Sequence, residues 1–314
     1  MQRYIARRLL TMLLLALIIS ILVFSMIHLL PGDPIDVMFG DVRDPVAMAT
    51  IRNLYGLDQP LPLQYLTWVN NLLHGSLGLS FRLHLPVSDL IMERFPRTLM
   101  LAVGGMLISL LIAFPAGILA ARRYNSWADV AISAASLVGL SMPGFWLALL
   151  LVIVFAVRLH WLPPTGYVPP WENAGEWLRT IVMPCVTLGA IMAASTTRML
   201  RSSLLEVLKQ EYVTVANSKG LADRRVLLRH ALPNALIPTI TVIGIQLGQL
   251  LGGAIVIERV FAYPGMGLLL INAISERDYP LIQATILVFA LSFIIVNLLT
   301  DIAYAFIDPR IRYE

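Results

Sequence analysis

Polar residues in this chain are confined to short intervals. Between them, apolar residues run on without the breaks that would mark an amphipathic face. Six runs reach or approach the roughly 20 residues a helix needs to cross a hydrocarbon layer. They are Leu9–Leu30, Thr98–Ala121, Val130–Val157, Ile181–Thr197, Asn234–Ile257 and Leu281–Phe306, and the fourth is the shortest. Backbone groups in lipid must be paired within their own segment, which predicts helices. The runs are too continuous for the strands of a membrane barrel. The first run follows Arg3, Arg7 and Arg8, as a secretory signal would. It exceeds a signal's apolar core and no A-x-A site follows it, so an uncleaved span is predicted. Pro115, Pro143, Pro184 and Pro238 fall inside runs, each as a hinge or as a fixed kink.

The intervals have order of their own. Within Pro31–Pro96, "RDPVAMATIRNLYG" reads as a short helix opened by Asp44 and Pro45 and ended by Gly56. "LPLQYLTWVNNLLHG" reads as a second, with Pro62 at its start, Leu66, Val69, Leu72 and Leu73 on one face, and Gly75 closing it. Both are too short to span. They fit the membrane interface, where Tyr65 and Trp68 are at home, either as working parts or as a plain structural lid. "RLHWLPPTGYVPPWENAGEW" is a proline-stiffened turn rich in tryptophan.

Orientation follows from the basic residues. Arg3, Arg7, Arg8, Arg122, Arg123, Arg198, Arg201, Lys209, Lys219, Arg224, Arg225, Arg229, Arg310 and Arg312 all fall on one side if the N-terminus is cytoplasmic. Short loops carry the weight of this rule, and Arg122–Asp129 and Arg198–Leu232 agree. Both termini are therefore expected in the cytoplasm.

Composition sharpens the class and removes several functions. Hydrophobic residues make up 58% and charged residues 13%, against about 25% charged in soluble domains. The net charge of +4 is too small to argue for nucleic acid, and the lone Cys185 forms no internal disulfide or cysteine cluster. No G-x-x-x-x-G-K-[ST] is present to cradle nucleotide phosphates, and no two histidines stand at i, i+4. "GLSMPG" at Gly139–Gly144 lacks the second glycine of a nucleophile elbow; Ser141 is expected to bond a carbonyl freed by Pro143. The predicted spans are almost free of charge, with Asp301 the main exception near the inner end of the sixth. The chain reads as a passage without its own energy source.

One polar stretch stands out, "EYVTVANSKGLADRRVLLRHALPNALIP" from Glu211 to Pro238. Tyr212, Val215 and Ala216 are predicted on one helical face, with Glu211 and Lys219 flanking it. Gly220 supplies a positive-φ turn. Asp223 is placed to cap or open a second helix, "RRVLLRHAL", and Pro233 to interrupt or restart helix at the fifth span. A helix–turn–helix tied at both ends to spans would pass a push straight to them. A basic amphipathic piece on anionic lipid and an inert connector are the competing readings. The small residues Ala216, Ser218 and Gly220 favour contact with another protein. Gly244, Gly248 and Gly252, followed by Gly253, make a smooth stripe on the fifth span. It fits a seam in a dimer, a seam along a pore, or intramolecular packing.

The stretch resembles the "EAA" loop of ATP-binding-cassette importer permeases. Glu211, Ala216, Gly220, Leu232 and Pro233 fit its outline, with Tyr212 in place of the first Ala and Leu221 beside the glycine. "LLPGDP" at Leu29–Pro34, "GLDQPLPLQY", "ERDYPLIQA" and the tail "DPRIRYE" are similar to the peptide/nickel permease family. Ser76 stands where family members often carry Asp, and Ala222 where a Ser often caps, which leaves capping to Asp223. The resemblance implies an all-α integral membrane protein of six transmembrane helices with the type-1 importer permease fold. Residues 1–93 would form the first span and an external subdomain, 94–306 a five-helix core containing the coupling loop 198–233, and 307–314 a cytoplasmic tail. It also implies a bacterial or archaeal inner membrane, a second homologous permease subunit, two ATPase subunits that use ATP and Mg, and an external solute-binding protein. No cofactor or metal is implied in this chain. Di- or oligopeptides are the implied cargo, with a nickel chelate or glutathione as alternatives. A standalone carrier or an intramembrane enzyme would instead work as a lone chain.

Overall fold

Helix is the regular structure of the described residues, apart from an isolated antiparallel bridge between Leu79 and Pro86. The computed structural model describes residues 2–29, 46, 48, 50, 52 and 58–307. The helices are α1 (Gln2–Leu29), α2 (Leu61–Leu73), α3 (Val87–Arg122), α4 (Trp127–Ser141), α5 (Gly144–Leu151), α6 (Ala174–Leu208), α7 (Glu211–Ser218), α8 (Leu232–Val260), α9 (Met266–Ser275) and α10 (Tyr279–Ile307). Four helical segments are long and apolar enough to cross a membrane, and the bent pair α4–α5 makes a fifth if it is one span. The chain divides into two compact units: Met1–Arg97 with Pro264–Ile294, and Thr98–Tyr263 with Ile295–Glu314.

In the first unit, α2 lies where the proline and glycine signals predict it, with Pro62 in its first turn and Gly75 at φ 81° just beyond. Its aromatic residues make the contact with α1. Tyr65 and Trp68 meet Phe24 of α1 at ring-centroid distances of 5.4 and 5.9 Å, and the Tyr65 hydroxyl pairs with Ser20 at 2.8 Å. Leu66 and Leu73 are exposed. Aromatic area and a polar handle outweigh the leucine stripe. In the other short helix, Val46, Met48, Thr50 and Arg52 are helical and the Thr50 hydroxyl donates to the Val46 carbonyl at 2.8 Å. Its ends at Asp44, Pro45 and Gly56, the "LLPGDP" segment after Leu29 and the tail beyond Ile307 lie outside the described residues. Asp278, just before α10, is buried and gathers the Ser80–Leu83 turn. It accepts from the Ser80 hydroxyl and from the amides of Phe81 (3.1 Å), Arg82 (3.3 Å) and Leu281 (3.4 Å).

The second unit is organised on α6, which packs against α4, α5 and α8. Its buried core joins Leu101 and Met106 of α3, Ala148 of α5, Met183, Leu188 and Met192 of α6, and Leu250, Ile257 and Tyr263. The fourth span is a correction to the sequence reading. It was expected as the shortest, yet α6 runs 35 residues from Asn173, whose side chain accepts from the amides of Gly175 and Glu176. Polar residues around its predicted end misled the hydropathy reading because they are buried in the bundle: Thr196, Thr197 and Ser203. The third span is corrected too. It is not one kinked helix but two, α4 and α5, bent by 105° at Met142–Pro143. Proline disfavours helical backbone in the residue before it, and Met142 is extended at φ −84°, ψ 122°. Glycines beside the break let the elbow sit on α6. A Cβ at Gly139 would approach Ala194 to 3.0 Å and one at Gly144 would approach Ile191 to 2.8 Å. Ser141 bonds Leu137, four residues back at 3.1 Å, and not a carbonyl freed by Pro143. Pro115, Pro184 and Pro238 lie within continuous helix.

Candidate functional site

The Glu211–Pro238 stretch does form an elbow. Gln210 is the extended residue before α7, and Gly220 turns the chain at φ 75°. A Cβ at Gly220 would meet nothing within 4 Å, so backbone conformation and not crowding calls for glycine there. The face of α7 turns out differently from the prediction. Val213 and Ala216 point inward and join Val226 in a small buried cluster, with Leu208 and Leu221 against it. Tyr212 and Val215 point outward, 43% and 53% exposed. Three-residue spacing from Val213 to Ala216 sets the buried side, so Ala216 serves packing and not close approach from outside. Glu211, Thr214, Ser218, Lys219 and Gly220 are exposed with Tyr212 and Val215. The elbow therefore offers a mixed polar face with two large apolar side chains, a composition suited to a protein contact.

The second arm of the elbow is not a separate helix. A helical turn at Asp223–Arg225 passes into a π-helical stretch, Val226–Ala231, and directly into α8 at Leu232. Pro233 has no amide to bond the carbonyl four residues back, and its ring crowds that carbonyl. Widening the preceding turn to π geometry absorbs the fault without ending the helix. Asp223 does not cap: the N-cap position is Ala222, which makes no side-chain bond, and Asp223 contributes a negative charge to the first turn. Tyr212 bolts α7 to this arm. Its hydroxyl accepts from Asn234 Nδ2 at 3.0 Å, and the same Nδ2 donates to the His230 carbonyl at 2.8 Å.

A clasp that sequence reading missed lies close in sequence to the elbow. Arg201, near the end of α6, pairs side-on with Asp129 in the first turn of α4, Nε to Oδ1 at 2.5 Å and Nη2 to Oδ2 at 2.8 Å. The Asp129 side chain is 4% exposed and the Arg201 side chain 24%. Asp129 also accepts from the Asn125 amide at 3.0 Å, and the Tyr124 ring faces the guanidinium at 5.8 Å. The signal was present: Ser126-Trp127-Ala128-Asp129 is a capping-box pattern, and Ser126 is the cap.

The expectation of nearly charge-free spans also needs correction. Helix α8 runs three residues past the predicted Ile257 end and brings in Glu258, which is fully buried and accepts from the Thr98 hydroxyl at 2.7 Å. Asp301 lies half-buried six residues before the end of α10. The glycine stripe splits. A Cβ on Gly244 would overlap the Thr300 side chain of α10, Gly248 is buried, and a Cβ on Gly252 would meet nothing within 4 Å. The Gly244 end of the stripe is an intramolecular seam and the Gly252 end is open.

Comparison with known proteins places this geometry. Residues 113–313 match the family described as binding-protein-dependent transport system inner membrane component, and residues 1–102 match its N-terminal family. The chain is 42% identical, over the whole length of both proteins, to a glutathione transport system permease protein of Escherichia coli. It is 43% identical, over 95% of each, to a putative peptide transport system permease protein of Brucella abortus. Among solved structures, the inward-facing MetNI methionine transporter gives a TM-score of 0.57 at 17% identity, covering 70% of this chain and 96% of that one. At that identity the likeness speaks for the fold.

Proposed function

The chain belongs to the family of binding-protein-dependent transport system inner membrane components, and from that membership we propose that it forms half of a translocation path for peptide-like solutes, driven by separate ATPase subunits. The observation that carries the cargo class is the end-to-end identity to peptide and glutathione permeases. Glutathione is itself a tripeptide, so both names fit one peptide-accepting path.

In this reading the chain crosses the bacterial inner membrane six times with both termini in the cytoplasm. The α7 elbow is the coupling element. Its exposed Glu211, Tyr212, Val215 and Gly220 dock an ATPase subunit, while Asp223, Leu232 and Pro233 belong to the arm that feeds α8. A second, similar permease subunit completes the path, two ATPase subunits supply ATP and Mg chemistry, and an external binding protein delivers cargo. Coupling requires the ATPases to bind two permease states with different affinity. The Asn234–Tyr212 bolt and the unbroken helix from Asp223 to α8 support a stiff mechanical link between dock and span.

The test is reconstitution. Vesicles containing the chain, its partner permease and the ATPases should take up a labelled dipeptide only with ATP and binding protein present. Accumulation by this chain alone would overturn the coupling assignment, and uptake of a nickel chelate but no peptide would overturn the cargo.

A further inference from the structure

Two glutamine amides lie at membrane depth on α8, and the fold treats them differently. Gln246 is fully engaged. Its Nε2 donates to the Met192 carbonyl at 3.2 Å and to the Ser195 hydroxyl, and its Oε1 accepts from the Thr196 hydroxyl at 3.0 Å. Gln249, one turn on, is exposed and bonds to no described residue. It stands eight residues inside Ile257, about 12 Å at helical rise. Along the same stripe, at i, i+4, i+7 and i+11, lie Ile245 (50% exposed), Gln249, Gly252 and Val256 (49% exposed), with open space where a Gly252 side chain would be.

A carboxamide left bare in hydrocarbon is costly, because neither its N–H groups nor its carbonyl finds a partner there. The exposed stripe of α3 shows what a lipid face looks like in this unit: Leu99, Val103, Leu107 and Leu111, all apolar. Gln249 breaks that pattern at the one place where the helix surface is also hollowed by a glycine. We propose that the Ile245–Gln249–Gly252–Val256 face of α8 lines a water-filled path, and that the Gln249 carboxamide contacts the passing solute. Its acceptor and two donors match the carbonyl and amide of a peptide bond, and the hollow at Gly252 admits a backbone close to the helix. The solute part of this inference rests on the proposed function; the water path does not.

The test uses the assembled transporter in membranes. Cys185 is buried, so the unmodified protein is its own blank. Gln249→Cys and, separately, Gly252→Cys are exposed to a membrane-impermeant methanethiosulfonate from each side, with and without ATP. Leu107→Cys is the lipid-side control. Thiolate is the reacting form and needs water, so modification of the two α8 positions is expected roughly tenfold or more above Leu107→Cys. Rates equal to the control at both positions overturn the proposal, as does oxidative cross-linking of Gln249→Cys to the partner permease without modification. Gln249→Leu should then cut ATP-driven dipeptide uptake severalfold while Gln249→Asn retains most of it. Equal uptake by all three rejects the solute contact even if the path is wet. Failure of the unaltered transporter to move any peptide, with labelling intact, rejects the cargo reading alone.

Discussion

Deleting both halves of the Asp129–Arg201 clasp should destabilise the chain by clearly less than the sum of the two single deletions. Removing one partner of a well-buried pair costs about 3–5 kcal/mol, because the other charge is stranded. The two sides differ here. The Asp129 side chain is 4% exposed and that of Arg201 24%, so water relieves a stranded arginine better than a stranded aspartate. Asp129 keeps the Asn125 amide as a donor when Arg201 is gone, which trims its loss. Arg201→Ala is therefore expected to cost about 3 kcal/mol and Asp129→Ala about 2, with the double variant below their sum by about 2 kcal/mol of coupling. The assay is reversible SDS unfolding in mixed micelles, followed by far-UV ellipticity, for the four members of the cycle. Strictly additive losses, or single losses under about 0.5 kcal/mol as for a surface pair, would refute the reasoning.

Gly220→Arg places a long, charged side chain in open space but at φ 75°; the chain should still insert in the membrane, with uptake and ATPase co-purification lost, and normal uptake would remove the docking role. Gly244→Ala should destabilise by about 1–3 kcal/mol through overlap with Thr300, partly relieved by Thr300→Ala, whereas Gly252→Ala should unfold in SDS at the wild-type midpoint. Thr98→Val keeps the shape but takes a donor from the buried Glu258; a loss of about 1–3 kcal/mol is expected in the same titration, with Thr98→Ser close to wild type.

The chain's class was legible because lipid imposes a coarse requirement, long apolar helices, that hydropathy reads directly. Finer features failed where a residue's neighbours decide its meaning. Thr196, Thr197 and Ser203 look like the end of a span in one dimension and are interior contacts in three. Glu258 was cut off by a boundary drawn at the first acidic residue, although a carboxyl group with a hydroxyl partner can be buried. Pro143 and Pro233 carry the same local chemistry with opposite outcomes. One ends a helix at a 105° bend where glycines let the elbow rest on α6; the other is absorbed by a π-helical stretch between α7 and α8. Gly220 was read correctly because its need is local: a positive φ depends on no distant partner.

That contrast at the two prolines bears on how force would travel. A break before the fifth span would let the elbow swing without moving α8, and coupling would be lost in the hinge. Continuous helix from Asp223 onward, with Tyr212 and Asn234 bonded across the elbow at 3.0 Å, removes that slack. The α4–α5 bend is the opposite case: the helix there is broken, with Met142 extended. The clasp joins α4 to α6 just ahead of α7, so a displacement of the elbow reaches the bent pair through Arg201 and Asp129 as well as α8 through the π-helical stretch. On the proposed docking of α7, two helical connections leave the elbow, one through the clasp to the bent pair and the other into the helix that carries Gln249, and a two-state gate would use both: a push at the dock would reach two elements at once.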